Sequence, residues 1–220
     1  MSASGIRAVT FDVGGTLIEP WPSVGHVYAR VAARHGFGQI SPRLLSRRFV
    51  VAWNKFGDFR HTRRQWAELV EATFARVIGP SASRSFFPEL FHCFTEPRAW
   101  RIYDDVVPTL HGLRGRGLKL GVISNWDERL KPLLGRLGLG RCFDVVVVSC
   151  DVGVTKPSPR VFQASAEQLG LEAGTILHIG DDPVNDFHGA RPAGFQAVLL
   201  NRDTRTAVPS RIRSLRELEF

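Results

Sequence analysis

Short runs of apolar residues recur along the chain, separated by stretches in which the apolar residues have the spacing of a helix. The runs are Ala8 to Phe11, Leu118 to Ile123, Val145 to Val148, Thr175 to Ile179 and Gln196 to Leu200. They do not alternate apolar with polar residues, which is typical of parallel strands buried on both faces of a sheet. Strands alternating with helices predict an α/β fold built on a parallel sheet.

The stretch between the first two runs breaks this alternation, because about a hundred residues pass without another strand. Between Trp66 and Ile78 the apolar residues recur in steps of three and one, as on one face of a helix. Two further predicted helices run from about Val24 to Ala33, and through Leu44 and Trp53 with Ser41 as N-cap and Pro42 in the first turn. We therefore predict an all-helical insertion at residues 18–100, acting as a cap on a core made of residues 1–17 and 101–220.

Composition and charge narrow the classes of protein. With 44% hydrophobic and 23% charged residues, the chain is neither disordered nor fibrous. Its 29 basic and 21 acidic residues give a net charge of +8, which raises the question of a nucleic-acid partner. The basic residues are scattered, however, and the clearest cluster comprises Arg202, Arg205, Arg211, Arg213 and Arg216. We therefore expect no nucleic-acid partner, and the alternative of a nucleic-acid-binding module would require a one-sided basic surface.

The cysteines and the apolar runs predict a cytoplasmic protein with no membrane partner. Cys93, Cys142 and Cys150 form neither a CxxC pair nor an even disulfide framework, which favours a reducing compartment. No apolar run approaches the roughly 20 residues that a membrane-spanning helix needs. The first residues lack the pattern of a signal peptide.

Polar residues with chemical potential follow the predicted strands. In an open parallel sheet the carboxyl ends of the strands meet at one edge, where ligands bind. Asp12, Ser124, Lys156 and Asp181 all lie in such positions. Three of them have a structural alternative: a helix cap or turn for Asp12, an N-cap for Ser124 and a solvated surface charge for Lys156, whereas capping alone does not explain Asp181. Asp182, directly before Pro183, is itself predicted to be an N-cap.

Four segments, in this order, resemble the four motifs of the haloacid dehalogenase-like hydrolase superfamily. They are FDVGGTL at Phe11 to Leu17, VISN at Val122 to Asn125, Lys156 in GVTKPSPRVF, and GDDPVND at Gly180 to Asp186. The helical insertion after the first motif looks like the small cap of the phosphatase-like branch. The resemblance covers essentially the whole chain and implies a Rossmann-like parallel sheet core with an inserted α-helical-bundle cap.

The resemblance also implies a catalytic role for several side chains. Asp12 would attack phosphorus and form an aspartyl-phosphate that water hydrolyses. Ser124 and the backbone amide of Asn125 would hold the phosphoryl oxygens, and Lys156 would neutralise the nucleophile and the phosphate. The substrate would be a small phosphorylated molecule whose identity, like the oligomeric state, the sequence does not determine.

A magnesium site is the implied cofactor site. By the resemblance, Asp12, Asp181 and the main-chain carbonyl of Gly14 would hold Mg²⁺, and Asp186 would orient waters around it. The chemistry agrees, since Mg²⁺ prefers one or two carboxylates together with waters and substrate phosphate. Without the ion and Lys156, a carboxylate would meet strong repulsion from a phosphate dianion.

One position departs from the phosphatase pattern. Phosphatases of this family carry a second Asp two residues after the nucleophile as general acid and base, where this chain has Gly14. Losing such a group typically costs about 10²- to 10⁴-fold in rate. Three explanations stay open: a substrate with a good leaving group, or an acid borrowed from the cap such as His26 or His61; haloacid dehalogenase chemistry at carbon; or a weakly active or inactive protein that binds phosphorylated ligands or another protein.

Overall fold

The computed structural model describes residues 5–57, 59–202 and 211–218, which fall into two units. One unit comprises the chain up to Ile18 and from Ile102 onward, and the other is Glu19–Arg101. Each unit has its own hydrophobic cluster. Among the described residues, no helix combines the length and apolar character that a bilayer crossing requires.

The strands of the described residues are, in chain order, β1 (Ala8–Phe11), β2 (Ile18–Pro20), β3 (Trp100–Ile102), β4 (Lys119–Ser124), β5 (Val145–Val148), β6 (Ile176–Gly180), β7 (Gln196–Leu200) and β8 (Arg211–Ile212). Their α-helices are α1 (Val24–Arg34), α2 (Pro42–Trp53), α3 (Arg63–Phe74), α4 (Pro80–Cys93), α5 (Val106–Gly115), α6 (Leu130–Arg136), α7 (Ser149–Val152) and α8 (Pro159–Leu169). A π-helical turn, Pro183–His188, follows β6.

A six-stranded sheet in the order β5-β4-β1-β6-β7-β8 forms the centre of the first unit, and its strands are parallel. In register, Phe11 of β1 lies beside Val122 on one side and Ile179 on the other. Every residue of β1 is buried, because neighbouring strands and helices cover it. Helices flank the sheet, so the predicted α/β, Rossmann-like parallel sheet core is confirmed.

The hydrophobic cluster of this unit lies between the sheet and the helix α8. Val161 and Phe162 of α8 are fully buried and cluster with Ile123 of β4 and Val147 of β5. All five predicted strands are present within one residue of their expected bounds. The sixth strand, β8, was not predicted, because a strand of two residues is too short to produce a periodic pattern.

The second unit is a bundle of four helices in which each helix packs on the next and α4 packs on α1. Tyr28 of α1 stacks on Phe74 of α3 at 5.7 Å between ring centroids. The expected helices from Val24 and from Pro42 are confirmed, and the Ser41 side chain accepts the N-cap hydrogen bond from the Leu44 amide. These caps satisfy backbone donors that the first helical turn leaves unpaired.

Two details of the predicted insertion were wrong. Residues 18–100 are not all helical, because β2 and β3 form a two-stranded sheet where the chain enters and leaves the Glu19–Arg101 unit. The stripe from Trp66 is shorter than predicted, since α3 ends at Phe74 and the chain turns before Gly79, whose φ is +79°. Apolar spacing alone did not reveal this turn, because Val77 and Ile78 continue the helical rhythm in sequence.

Candidate active site

Three strand ends bring polar residues together in the first unit. Asp12 directly follows β1, Ser124 is the last residue of β4, and Gly180 is the last residue of β6. Because β4, β1 and β6 are adjacent and parallel, these ends meet at one edge of the sheet. The polar cluster described below lies at this edge.

The Asp12 carboxylate is anchored through one of its two oxygens. Oδ1 accepts hydrogen bonds from Ser124 Oγ at 2.9 Å and from Lys156 Nζ at 2.6 Å. Among the residues that the structure describes, Oδ2 accepts no hydrogen bond, and 12% of the Asp12 side chain is exposed. Oδ1 therefore fixes the orientation of the carboxylate, and Oδ2 keeps its lone pairs available for bonding.

Lys156 is a buried ammonium shared between two carboxylates. Besides Asp12, Nζ donates to Asp186 Oδ1 at 2.5 Å and to the Ile123 carbonyl at 3.0 Å. Burial lowers the pKa of Lys156, but the charges of Asp12 and Asp186 outweigh this effect and raise the pKa well above its usual range. The Lys156 ammonium is therefore charged at neutral pH.

The side chain of Asn125 holds the backbone of Lys156. Asn125 Oδ1 accepts the Lys156 amide at 2.7 Å, and Nδ2 donates to the Lys156 carbonyl at 3.0 Å. This pair of hydrogen bonds fixes the point from which the lysine side chain enters the site. The expected contribution of Asn125 was its backbone amide, so its side chain has a positioning function that the sequence did not reveal.

Asp186 is a buried carboxylate whose two oxygens both accept hydrogen bonds from protein groups. Oδ1 faces Lys156 Nζ and His178 Nε2, the latter at 3.2 Å, and Oδ2 accepts the Asp182 amide at 3.0 Å. Burial raises the pKa of Asp186, but Lys156 and then His178 outweigh burial and hold the pKa well below its usual range. A Cβ on Gly180 would lie 2.1 Å from Asp186 Cγ, so only glycine permits this packing.

His178 is a buried residue of β6 that sequence reasoning missed. Burial lowers its pKa, so the imidazole is neutral. With Nε2–H facing the carboxylate of Asp186, Nδ1 is left to accept from Thr10 Oγ1 at 3.0 Å. The available signal was a histidine within an otherwise apolar strand.

Asp181 lies against the loop that follows β1. Gly15 has a φ of +78°, and a Cβ there would lie 2.3 Å from Asp181 Oδ2. Thr16, also missed by the sequence reasoning, donates from Oγ1 to Asp181 Oδ1 at 3.1 Å. The loop therefore forms a cradle for a carboxylate that a side chain at position 15 would block.

The donor set fits a hard divalent cation. Carboxylate oxygens of Asp12, Asp181 and Asp186 lie within 4.8 Å of one another. Burial and then the charges of Asp12 and Asp186 raise the pKa of Asp181 to about 7, although the residue as a whole is exposed. Burial, offset by Lys156 and reinforced by Asp186, also raises the pKa of Asp12. The cluster thus carries excess negative charge on oxygen atoms, which are the donors that Mg²⁺ prefers.

At Gly14 the loop faces an indole. A Cβ on Gly14 would lie 3.4 Å from Cζ3 of Trp126, at ordinary van der Waals distance. Trp126 is half-buried, and its backbone exchanges two 3.1 Å hydrogen bonds with the Ser149 hydroxyl. A carbon surface of the indole therefore borders residue 14, which has no side chain of its own.

All the residues predicted for the site lie around this cluster, namely Asp12, Gly14, Ser124, Asn125, Lys156, Asp181 and Asp186. Asp182 is an N-cap, as predicted, and accepts from the amides of Val184 and Asn185. His26 and His61, the two histidines considered as substitutes for the missing acid, belong to the Glu19–Arg101 unit. There His26 shares a 2.9 Å hydrogen bond with Ser23, and His61 packs among aromatic rings.

Comparison with known sequences gives a consistent result. A family model described as haloacid dehalogenase-like hydrolase matches residues 6–194. Haloacid dehalogenase-like hydrolase domain-containing protein 3 of Danio rerio is 34% identical over 208 residues, covering 90% of this chain and 86% of the relative. Phosphoserine phosphatase of Thermus thermophilus is 34% identical over 132 residues, covering 57% of this chain and 53% of the relative.

Solved structures show the same fold. The HAD phosphatase from Thermococcus onnurineus is 27% identical with a TM-score of 0.64, covering 96% of this chain and 95% of that chain. The 2-haloacid dehalogenase from Pseudomonas syringae pv. Tomato DC3000 is 24% identical with a TM-score of 0.65, again covering 96% and 95%. Both likenesses extend over nearly the whole chain.

Proposed function

Because the chain belongs to the haloacid dehalogenase-like hydrolase family, we propose that it is a Mg²⁺-dependent phosphatase that acts on a small phosphorylated metabolite through an aspartyl-phosphate. The observation that carries this proposal is the Asp12 carboxylate. Its Oδ1 is anchored by Ser124 and Lys156, while no donor among the described residues reaches Oδ2. Such a carboxylate is held as an oriented nucleophile.

In the first step, Asp12 Oδ2 forms a bond to phosphorus as the bond from phosphorus to the leaving oxygen breaks. The leaving oxygen takes the electron pair. Lys156 offsets the charge of Asp12 and of the incoming phosphate. Ser124 donates a hydrogen bond to Asp12 Oδ1, which keeps the carboxylate oriented. In the second step, water attacks phosphorus, inorganic phosphate leaves, and the Asp12 carboxylate is restored.

Asp12, Asp181 and the Gly14 carbonyl are the groups that would hold Mg²⁺. When bound, the ion would supply positive charge against the phosphoryl oxygens and the excess carboxylates. Asp186 Oδ1 is occupied by Lys156 and His178, but Oδ2 accepts only the Asp182 amide and so keeps a lone pair with which it could orient waters around the ion.

The substrate class follows from Gly14. With an indole carbon near this position and no carboxylate on residue 14, the leaving group departs without a proton from that residue. Acyl and aryl phosphates have leaving groups stable enough to do so.

We also propose that the enzyme is cytoplasmic. Cys93, Cys142 and Cys150 form no disulfide, which fits a reducing compartment.

Relatives support phosphoryl transfer. Two of the similar proteins named above, the phosphoserine phosphatase and the HAD phosphatase, are phosphatases. The dehalogenase shares the fold, and the absence of a second carboxylate at position 14 would suit its chemistry at carbon. The cluster of three carboxylates favours the metal-dependent phosphatase instead.

The proposal is tested by measuring hydrolysis of an aryl phosphate and of acyl and sugar phosphates, with Mg²⁺ and with a chelator. We expect Asp12→Asn to lose about 10³-fold or more in kcat/KM, because the amide is a poor nucleophile. Asp151→Asn is the matched control, since Asp151 is an exposed carboxylate that pairs with the exposed Lys131 and not with Lys156. Acid quenching with labelled substrate should trap a phosphorylated protein in the wild type and not in Asp12→Asn.

Other outcomes separate the alternatives. Turnover unchanged in folded Asp12→Asn would show that the nucleophile is assigned wrongly, and turnover unaffected by chelator would remove the magnesium requirement. Halide release from 2-haloacids without metal would identify a dehalogenase. Phosphate-ester binding without any turnover would identify a non-catalytic binding protein.

A further inference from the structure

A second cluster of charged residues lies beside the candidate site and is not used by the proposed chemistry. Its centre is Asp105, the residue directly before α5. Asp105 is buried, with 5% of its surface exposed. Asp105 Oδ2 accepts hydrogen bonds from the Ser214 hydroxyl at 2.7 Å and from the Leu215 amide at 2.9 Å. The carboxylate thus ties the segment after β8 to the start of α5.

Arg202 makes a fork on the same carboxylate. Nη1 donates to Asp105 Oδ2 at 2.9 Å and Nη2 to Asp105 Oδ1 at 3.0 Å. The guanidinium also lies 3.8 Å from the centre of the Tyr103 ring. A bidentate pair stacked on an aromatic ring has one geometry, so Arg202 is a rigid support and not a solvated surface charge.

The same guanidinium reaches the loop of the candidate site. Arg202 Nη2 donates to the Thr16 carbonyl at 2.8 Å, and the hydroxyl of Thr16 donates to Asp181. Thr16 is fully buried. Thr16 therefore links the two residues: its backbone carbonyl contacts Arg202, and its hydroxyl contacts the candidate metal ligand Asp181.

We propose that Arg202, held by Asp105 and the segment Arg211–Leu215, is a positioning residue for the metal site, and that it acts through Thr16 on Asp181. This inference rests on the proposed function, because it assigns to Asp181 the binding of Mg²⁺. Of the arginines near the C-terminus, Arg202 is thereby given a structural role; Arg205 lies outside the described residues.

The physical reason for such a support is the charge of the site. Carboxylate oxygens of Asp12 and Asp186 lie within 4.8 Å of one on Asp181 and repel it, while the Thr16 hydroxyl holds Asp181 in the cradle above Gly15. The loop itself is closed by hydrogen bonds from the Gly15 amide to the Ile18 carbonyl and from the Leu17 amide to the Val13 carbonyl. Moving Thr16 would therefore shift Asp181 and the neighbouring Gly14 carbonyl together, since both border the same closed turn.

Mg²⁺ binding to the purified full chain, measured by titration calorimetry, tests the inference without relying on activity. We expect the Kd for Mg²⁺ to rise about tenfold in Arg202→Ala and in Thr16→Val, as for groups that orient metal ligands in other proteins. Arg202→Lys keeps one charged donor for the Thr16 carbonyl and should give an intermediate Kd. At saturating Mg²⁺, kcat should change much less than the Kd.

The double variant decides whether Arg202 acts through Thr16. If it does, Arg202→Ala combined with Thr16→Val should raise the Kd about tenfold and not about a hundredfold, because both changes cut the same link. An additive, roughly hundredfold rise would overturn the proposed route. Thr16→Val replaces the hydroxyl with a methyl group and leaves the backbone carbonyl in place, so it keeps the inference falsifiable if Arg202→Ala does not fold.

Arg213→Ala is the matched control. Arg213 lies in the same segment, is about half exposed and pairs with Glu217, so its loss should leave the Kd unchanged. Equal Kd values in the wild type, Arg202→Ala and Thr16→Val would overturn the inference and leave the phosphatase intact. A wild-type chain that binds no Mg²⁺ would instead overturn the metal requirement of the proposed function, and this inference with it.

Discussion

At the scale of single residues, Gly14 and Gly15 occupy adjacent positions of one loop for different reasons. Gly15 has positive φ and faces Asp181 at a distance that no Cβ could share. Gly14 has room for a Cβ at van der Waals distance from Trp126. Position 15 is therefore restricted by geometry, whereas position 14 could accept a side chain.

Gly14→Asp should raise the turnover of alkyl phosphates by about tenfold or more, because the new carboxyl could protonate a poor leaving group. Aryl phosphates need no such proton and should gain little. Steady-state kinetics with one alkyl and one aryl phosphate measure the difference. Gly14→Asn is the matched control of similar size without an acid, and equal alkyl phosphate rates in both variants would show that an acid at position 14 is not what limits the reaction.

At the scale of secondary structure, the packing of α1 on α2 depends on Gly25. A Cβ on Gly25 would lie 2.0 Å from the Pro42 carbonyl oxygen, and the Gly25 amide donates to Ser46 Oγ at 3.2 Å. The start of α2 can approach α1 this closely only because residue 25 has no side chain. The cap bonds of Ser23 and Ser41 then start the two helices at this contact.

Gly25→Ala should therefore lower the free energy of unfolding by about 2 kcal/mol, because backbone must move to admit the methyl group. Gly112→Ala in the middle of α5 is the same chemical change at a position with no atom within 4 Å. It should raise the free energy of unfolding by up to about 1 kcal/mol, since alanine favours a helix over glycine. Urea unfolding of both variants compares the signs, and a loss of similar size at both positions would refute the packing argument.

At the scale of the whole molecule, Asp105 links distant parts of the chain in the α/β unit. Burial raises its pKa, but hydrogen bonds from Arg202, Ser214 and the Leu215 amide outweigh burial and lower the pKa below its usual value. A carboxyl with a lowered pKa stabilises the fold while it is ionised. This stabilisation is complete above the unfolded pKa of about 4 and is lost as the pH falls through the lower folded value.

Asp105→Asn should lower the free energy of unfolding by about 2 kcal/mol at pH 7, because a charged acceptor of several hydrogen bonds is lost. The difference from the wild type should stay constant down to about pH 5 and shrink below about pH 4. Denaturant unfolding at pH 7, 5 and 3.5 measures it. A difference that is the same at pH 3.5 would mean that the carboxylate charge contributes nothing.

The sequence by itself determined the features that depend on neighbours along the chain. Continuous apolar runs predicted five of the six strands in the sheet, and caps such as Ser41–Pro42 and Asp182–Pro183 lie where predicted. Placing Asp12, Ser124 and Asp181 after parallel strands was enough to predict one shared edge, because strand direction alone brings those ends together. Elements of two or three residues, such as β8, left no periodic signal.

Only the tertiary structure decided which side chains meet. Lys156 contacts Asp12 across 144 positions, and Arg202 contacts Thr16 across 186. The pairing of Asn125 with the Lys156 backbone and of His178 with Asp186 likewise depends on how strands and loops align in space. Hydrogen bonds require atoms within about 3 Å in a defined direction, and no local pattern of residues specifies such alignment between segments far apart in the chain.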